Sequence, residues 1–177
     1  MATYVALLRG VNLGPTRKIS MPQLRALASE LGYGDVATYI ASGNLIVSTT
    51  KPAASVESEL TAAIEETFGH HVDVTVRTPA ELDRVLVENP YPEGNPSQVT
   101  IAFLTGPVAT TAGEKVAALA VEGERYTFGE REIYVDYANG IGNSKLAAKF
   151  SAAVGVSATV RNVRTVGKLL ELASRVP

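Results

Sequence analysis

The stretch TVRTPAELDRVL at residues 75–86 returns as TVRNVRTVGKLL at residues 159–170, at a constant offset of 84. Each copy reads as the end of a strand, an arginine, a helix cap and then apolar residues at helical spacing. The start of the chain is matched in the same way, because YVALLRG at residues 4–10 resembles TIAFLTG at residues 100–106 in pattern. These paired stretches predict a chain built from two halves with the same order of elements.

Hydrophobic periodicity and turn residues supply the elements between the repeated stretches. The predicted strands cover residues 3–9, 36–41, 45–49, 72–76, 99–104, 125–128, 132–137 and 158–160. The predicted helices carry apolar stripes at residues 24–31, 56–68, 82–86, 116–119, 146–154 and 163–173. Three helices begin with the form of a capping box, in the pairs Ser20 with Gln23, Thr78 with Glu81, and Thr111 with Glu114.

Each half therefore reads β-α-β-β-α-β with a trailing helix. That order is typical of the ferredoxin-like α/β plait, in which right-handed crossovers place both helices on one face of a four-stranded antiparallel sheet. The sequence predicts an α+β fold of two ferredoxin-like subdomains that arose by internal duplication. The predicted boundaries are 1–89 for the N-terminal subdomain and 97–177 for the C-terminal subdomain, joined by a proline-rich linker at 90–96.

The composition excludes several classes of protein. With 46% apolar and 19% charged residues among 177, the chain can bury a core and is not disordered as a whole. No apolar run approaches the roughly 20 residues of a membrane-spanning helix, and the N-terminus has no basic, signal-like region, so a cytoplasmic location is expected. The absence of cysteine excludes disulfides, thiolate metal sites and cysteine nucleophiles.

The charge is unevenly distributed along the chain, although the net charge is only −2. Residues 1–29 carry four basic residues and no acidic one, and residues 141–177 carry six basic residues against one acidic residue. The middle, residues 30–140, carries 6 basic and 17 acidic residues. If the fold brings the two ends together, they form one basic face on an acidic body; the alternative is that these charges are scattered over the surface.

Candidate ligand-binding residues lie on a glycine-containing loop, a hairpin turn, two helix starts and the last helix. They are Arg9, Asn12, Lys18, Ser42, Asn44, Ser144, Lys145, Arg161, Asn162 and Lys168. Cationic side chains beside glycine-rich backbone or free helical N–H groups suit a phosphate or carboxylate. Each group also has a structural interpretation, as ordinary turn chemistry, as a plain N-cap, or as a corner that the duplicated fold repeats.

No arrangement of residues indicates a recognised catalytic or metal-binding constellation. His70 and His71 are adjacent, so their side chains diverge on either a helix or a strand and cannot chelate one ion together. The loop after the first strand lacks the spacing of a P-loop or of a dinucleotide-binding fingerprint, and no G-x-S-x-G elbow occurs. We therefore predict no metal and no cofactor.

Several of these stretches resemble the bacterial family DUF1697. They are LLRGVNLG at 7–14, Lys18-Ile19 with Met21, YIASGNLIV at 39–47, SKL at 144–146 and TVRN at 159–162. The resemblance covers nearly the whole chain and implies two ferredoxin-like subdomains, but no established function. The chain departs from the family pattern at Pro15, where a second glycine is usual, and at Val163, where tryptophan is usual.

Three functions are compatible with these observations. The first, which the sequence favours, is an anion-binding module that uses a basic site built from the two chain ends and whose ligand is a nucleotide, a phosphorylated metabolite or a nucleic-acid backbone. The second is an enzyme that acts on a phosphorylated or carboxylate substrate in the same cleft, with Lys145 or Lys168 as general acid/base or charge stabiliser. The third is an interaction module that forms a homodimer or pairs with another protein. The expected partners are thus an anionic small molecule or nucleic acid, or a second copy, and no membrane.

Overall fold

A computed structural model describes residues 1–176 of the chain. The elements of the first half are β1 (Ala2–Leu8), α1 (Met21–Glu30), β2 (Gly34–Thr38), β3 (Asn44–Thr49), α2 (Ala53–Phe68), β4 (Val74–Arg77) and α3 (Pro79–Val87). Those of the second half are β5 (Val99–Leu104), α4 (Ala112–Leu119), β6 (Glu124–Phe128), β7 (Glu132–Tyr137), α5 (Lys145–Val154), β8 (Ala158–Asn162) and α6 (Val163–Ala173), with a 3-10 turn (Ile141–Asn143) before α5.

The eight strands of residues 1–176 form two four-stranded antiparallel sheets, with the orders β2-β3-β1-β4 and β6-β7-β5-β8. The first strand of each half is central and pairs with the third and fourth strands of that half. With the six helices of the described chain, the protein has a mixed α+β fold. The element order and the strand order are therefore the same in the two halves.

The repeated arginines of the sequence occupy equivalent positions in the two sheets. Arg77 on β4 lies opposite Val5 on β1, and Arg161 on β8 lies opposite Ile101 on β5. Both side chains are buried, and each guanidinium donates a 2.9 Å hydrogen bond to the backbone carbonyl of the residue before it. The sequence repeat thus corresponds to a structural repeat.

One face of each sheet packs against helices of the same half, because alternate residues of a strand point to the same side. In the first half, this core contains Tyr4, Ala6 and Leu8 of β1 with Leu24, Leu27, Leu60 and Ile64 of α1 and α2. In the second half, it contains Ala102, Leu104, Ile133 and Val135 with Val116, Leu146 and Phe150. The opposite face of β1 is buried as well, at Val5 and Leu7, so this strand reads as a continuous apolar run.

The chain divides into two compact units, which do not follow the element order throughout. The first unit comprises Met1–Arg84 together with the segment from Gly167 onward, and the second comprises Val85–Val166. The predicted boundaries, 1–89, 90–96 and 97–177, follow the order of elements along the chain. In the compact units, by contrast, the end of α3 belongs to the second unit and most of α6 belongs to the first. No helix in the described part of the chain is long and apolar enough to cross a membrane.

Residues 90–96, predicted as a linker, are irregular in conformation and belong to the second unit. The Tyr91 hydroxyl lies 2.7 Å from Thr127 Oγ1 on β6. The Arg125 guanidinium lies 4.5 Å from the centroid of the Tyr91 ring and also forms a 2.7 Å ion pair with Glu93. These contacts pack the proline-rich segment against β6.

Six of the eight described strands differ from their predicted limits by one to three residues at an end, and two of them illustrate the differences. The second strand, predicted at 36–41, is observed at Gly34–Thr38, because the chain turns at Ile40, where φ is 49°. Its pairing with β3 also shifts register between Gly34 and Ala37, around Asp35, which has a φ of 49°. The fourth strand, predicted at 72–76, is observed at Val74–Arg77. Apolar alternation locates both strands but does not reveal the left-handed backbone at Asp35 and Ile40.

The three predicted capping boxes differ in the structure. At α3, the Thr78 N–H donates to Glu81 Oε2 at 2.8 Å, and the Glu81 N–H donates to Thr78 Oγ1 at 3.2 Å. At α1 and α4, Ser20 and Thr111 occupy the N-cap position, but their side chains form no capping hydrogen bond. The capping box at Thr78 is therefore confirmed, whereas at Ser20 and Thr111 the N-cap position is confirmed but the side-chain capping bond is not formed.

This difference predicts unequal effects of alanine at two N-cap positions. Thr78→Ala removes a capping bond and should lower the free energy of unfolding by about 1 kcal/mol, whereas Ser20→Ala should change it by less than about 0.5 kcal/mol. Chemical denaturation of the two variants checks this expectation. Equal losses at the two positions would contradict it.

Candidate functional site

The connection from β1 to α1 spans residues 9–20, and we call residues 9–19 the basic loop, after Arg9, Arg17 and Lys18. Its backbone is held at its start and across its middle. The Arg9 N–H donates to the carbonyl of Asp73, just before β4, at 3.0 Å, and the Asn12 N–H donates to the carbonyl of Arg17 at 3.1 Å. The segment between Asn12 and Arg17 is thereby closed on itself.

A second segment, the hairpin turn of residues 39–43, joins β2 to β3 beside the basic loop. The Leu8 N–H at the end of β1 donates to the Gly43 carbonyl at 2.8 Å. Within the turn, the Asn44 side-chain amide donates to the Tyr39 carbonyl at 2.9 Å and to Ser42 Oγ at 3.0 Å. The hairpin turn and the basic loop therefore lie at the same end of the first sheet.

Asn12 joins the two segments. Its Nδ2 donates to the Ile19 carbonyl at 2.9 Å and to the Ala41 carbonyl at 2.7 Å, and its Oδ1 accepts from the Ile19 N–H at 2.9 Å. These bonds use both hydrogens and the oxygen of the side-chain amide. Asn12 also has a φ of 57°, a conformation that asparagine tolerates better than most residues. Asn12 is thus a positioning residue that fixes the basic loop against the hairpin turn.

The hairpin turn also approaches the start of the basic loop very closely. Gly43 has a φ of 82°, and a Cβ at this position would lie 2.6 Å from Val11 Cγ2 and 2.8 Å from Leu8 Cβ. Real Cβ atoms do not approach other carbons so closely, so only glycine fits here without a shift of the backbone. The glycine is required both by its conformation and by this contact.

The cations of the basic loop differ in their surroundings. Arg9 is half-buried and forms a 3.4 Å ion pair with Asp73. Arg17 and Lys18 are exposed, and neither forms an ion pair with any residue of the described chain. The Arg17 guanidinium folds back over Gly10, with Nη1 3.9 Å from the position that a Cβ of Gly10 would occupy. Two unpaired positive charges are therefore presented on a loop whose backbone is fixed.

Acidic groups lie on one side of the loop, around Asp73. His71 bridges two carboxylates, with Nδ1 3.1 Å from Glu65 Oε2 and Nε2 3.1 Å from Asp73 Oδ1. The hydrogen bond to Glu65, followed by that to Asp73, raises the pKa of His71 above its ordinary value. Because Asp73 also pairs with Arg9, the charge of Arg9 is partly offset, whereas that of Arg17 and Lys18 is not.

The charge segregation seen along the sequence does not persist at the level of the two compact units. The first unit contains nine basic and ten acidic residues, and the second contains seven basic and eight acidic residues. The basic character of the chain start is therefore local to the loop and does not extend over a whole unit.

Backbone strain is concentrated on the basic loop and the hairpin turn. Within residues 1–176, the non-glycine residues with positive φ are Asn12, Arg17, Asp35 and Ile40, and three of these lie on the basic loop or the hairpin turn. The two segments also carry exposed apolar side chains, since Leu13 is 83% exposed and Ile40 is 50% exposed. Strained backbone of this kind recurs at functional sites, and the two exposed apolar residues lie on the same two segments.

The remaining predicted residues of the first unit have varied surroundings. Asn44 is fully buried, and Ser42 is half-buried and accepts the hydrogen bond from the Asn44 amide. Lys168 on α6 forms a 2.8 Å ion pair with Glu171, one helical turn further along. That pair holds the pKa of Glu171 below its ordinary value.

The predicted residues of the second unit lie at two helix starts. Ser144 caps α5, where its Oγ accepts from the Ala147 N–H at 3.1 Å, and Lys145 is exposed beside it. Asn162 Oδ1 accepts from the Thr165 N–H at 2.8 Å at the start of α6. Arg161 is buried, and this burial lowers its pKa to about 10.

Three residues on the basic loop and the hairpin turn are absent from the predicted site. Arg17 could have been predicted from the sequence, because it lies in the same glycine-containing loop as Arg9 and Lys18. Leu13 and Ile40 could not, because apolar residues are expected to be buried and the exposure of these two depends on the geometry of the turns. No group of three or more His, Cys, Asp or Glu residues in positions 1–176 could hold a metal ion.

Comparison with other proteins supports the fold and identifies the family. No curated protein matches the sequence of this chain. The solved structure of the conserved bacterial protein SP0830 from Streptococcus pneumoniae is similar, with a TM-score of 0.74 and 19% identity over 97% of this chain and 98% of that chain. A family model described as "Protein of unknown function (DUF1697)" matches residues 1–134. The chain belongs to the DUF1697 family.

Proposed function

We propose that the protein is an anion-binding module and that its site is the basic loop of the first unit, beside the hairpin turn. The observation that carries this proposal is the pair of exposed cations, Arg17 and Lys18, which lack an ion-pair partner within residues 1–176. A phosphate or carboxylate would accept hydrogen bonds from both, and hydrogen bonds between charged groups are about twice as strong as neutral ones.

The fixed conformation of the basic loop strengthens this proposal. A flexible loop loses conformational entropy when it binds, and a fixed loop has already lost it on folding. Here the bonds from Asn12 to Ile19 and Ala41 fix the loop before any ligand arrives. The proposed role of Asn12 is therefore to hold the cations in place, and the buried Arg161 is not part of the proposed site.

The second half offers an internal comparison. The backbone bonds at the end of β1 recur at the end of β5, where the Leu104 N–H donates to the Arg131 carbonyl at 3.0 Å and the Thr105 N–H donates to the Ser157 carbonyl at 3.1 Å. The connection that follows β5, residues 105–111, contains no basic residue. The same fold position is thus built without cations, so the cations of the basic loop are not required by the fold.

We also propose that each half is a ferredoxin-like plait and that the two arose by duplication. Support comes from the identical element order, the identical strand order and the equivalent positions of Arg77 and Arg161. The cytoplasmic location and the homodimer inferred from the sequence stay predictions.

Binding of pyrophosphate tests the proposed anion site. Titration calorimetry at low salt should detect binding to the unaltered protein, and the affinity should fall as salt is raised, because surface charges are screened. In the double variant Arg17→Ala with Lys18→Ala, we expect the affinity to fall at least about tenfold, which is about 1.4 kcal/mol.

The matched control is the double variant Lys115→Ala with Lys149→Ala, which removes two exposed lysines from helices of the second unit. Both double variants change the net charge by the same amount, so a general electrostatic effect would weaken pyrophosphate binding equally in both. Equal weakening, or no binding by the unaltered protein at low salt, would refute the assignment of the site to the basic loop.

A further inference from the structure

Ile40 has a backbone conformation that isoleucine rarely adopts. Its φ of 49° lies in the left-handed region, where a β-branched side chain is an outlier. Its side chain is 50% exposed, so burial offsets little of this strain. Glycine or asparagine would fit the backbone of the turn better. The fold of the hairpin turn therefore does not explain why an isoleucine stands there.

Leu13, on the basic loop, is likewise an apolar residue in an exposed position. It is 83% exposed, directly after Asn12 and four residues before Arg17. Its neighbour Asn12 is bonded to Ala41, the residue after Ile40, at 2.7 Å. The two exposed apolar residues thus lie on segments that Asn12 holds together, within the surface that presents Arg17 and Lys18.

Cations beside exposed apolar side chains suit a ligand in which an anion adjoins an apolar face. A nucleotide has this chemistry, because its phosphate is anionic and its base can pack between aromatic or apolar side chains. The Asp73 carboxylate beside Arg9, which His71 links to Glu65, favours a small ligand that contacts the basic loop and the hairpin turn alone. An extended anionic surface such as a bilayer would bring its charge close to these carboxylates.

We propose that Leu13 and Ile40 are the base-contacting residues of a nucleotide site whose phosphate is bound by Arg17 and Lys18. This inference rests on the proposed function, because it assigns a ligand class to the same site. A free nucleotide and single-stranded nucleic acid both offer a phosphate next to a base. The experiment below therefore compares these two ligands directly.

Four probes are compared by titration at one low salt concentration: pyrophosphate, adenosine diphosphate, a single-stranded oligothymidylate of about eight nucleotides, and vesicles of anionic phospholipid. We expect at least one of the two nucleotide probes to bind about tenfold more tightly than pyrophosphate. Tighter binding of the diphosphate assigns the site to a free nucleotide, and tighter binding of the oligonucleotide assigns it to single-stranded nucleic acid.

The variant Ile40→Asn distinguishes a loss of contact with the base from a change in the conformation of the hairpin turn. Asparagine suits the left-handed backbone, so the Tm should rise by about 2–4 °C. The affinity for the tighter nucleotide probe should fall about tenfold, and the affinity for pyrophosphate should not change. Val121→Asn is the control, because Val121 is an apolar residue of the second unit with a similar exposure of 48%.

The outcomes distinguish the two proposals. If pyrophosphate binds and neither nucleotide probe binds more tightly, the nucleotide site is refuted while the anion site stands. If Ile40→Asn weakens all anionic probes equally, or leaves the nucleotide probes unaffected, Ile40 is not a base-contacting residue. Binding of the vesicles alone would refute the nucleotide site and would indicate a membrane surface as the partner.

Discussion

Replacement of Asn12 by alanine is expected to lower the free energy of unfolding by about 2–4 kcal/mol. The substitution removes three hydrogen bonds, two to Ile19 and one to Ala41. Each bond contributes about 1 kcal/mol, and alanine adds strain at a φ of 57°. The same substitution should weaken pyrophosphate binding, because the basic loop is no longer fixed against the hairpin turn.

Chemical denaturation measures the loss of stability, and Asn139→Ala is the matched control. Asn139 donates one exposed hydrogen bond, to the Glu122 carbonyl at 2.8 Å, so its replacement should cost less than about 1 kcal/mol. If Asn12→Ala costs no more than the control, Asn12 does not join the two segments in the way described.

Replacement of Gly43 by alanine is expected to lower the free energy of unfolding by about 2–4 kcal/mol, through two separate effects. The left-handed backbone disfavours any side chain at position 43. In addition, the new Cβ would collide with Val11 and Leu8, at distances of 2.6 and 2.8 Å. Relief of this contact would displace the hairpin turn from the end of β1.

Gly69→Ala isolates the first of these two effects. Gly69 follows α2 with a φ of 75°, and apart from its chain neighbours no atom lies within 4 Å of the position that its Cβ would occupy. Alanine at position 69 should therefore cost only the backbone strain, about 1–2 kcal/mol. Denaturation curves that show equal losses for the two alanine variants would mean that the contact of Gly43 with Val11 and Leu8 adds nothing.

Most of the fold could be predicted from the sequence, because it depends on patterns that are local or repeated. Apolar alternation located all eight strands of the described chain, and the repeat around Arg77 and Arg161 indicated two similar halves. Local patterns were less reliable at element ends. Ser20 and Thr78 have the same capping motif, yet only the Thr78 side chain caps its helix, because side-chain orientation depends on the surrounding packing.

The candidate site was predictable only in part. The glycines and cations between Arg9 and Lys18 identified the loop, since such residues recur in anion sites. The partner of Asn12 could not be foreseen, because Ala41 is 29 residues away and contributes only a backbone carbonyl, which any residue has. The left-handed conformation of Ile40 has no signal in the sequence, because isoleucine normally indicates the opposite.

The division of the chain into units has a consequence for the order of events during synthesis. The second unit is continuous, from Val85 to Val166, whereas the first unit needs the segment from Gly167 onward. A ribosome builds the chain from its N-terminus, so the second unit has all of its residues before the first unit is complete. The first unit, whose N-terminal part is made first, is therefore the last to have all of its residues available for folding.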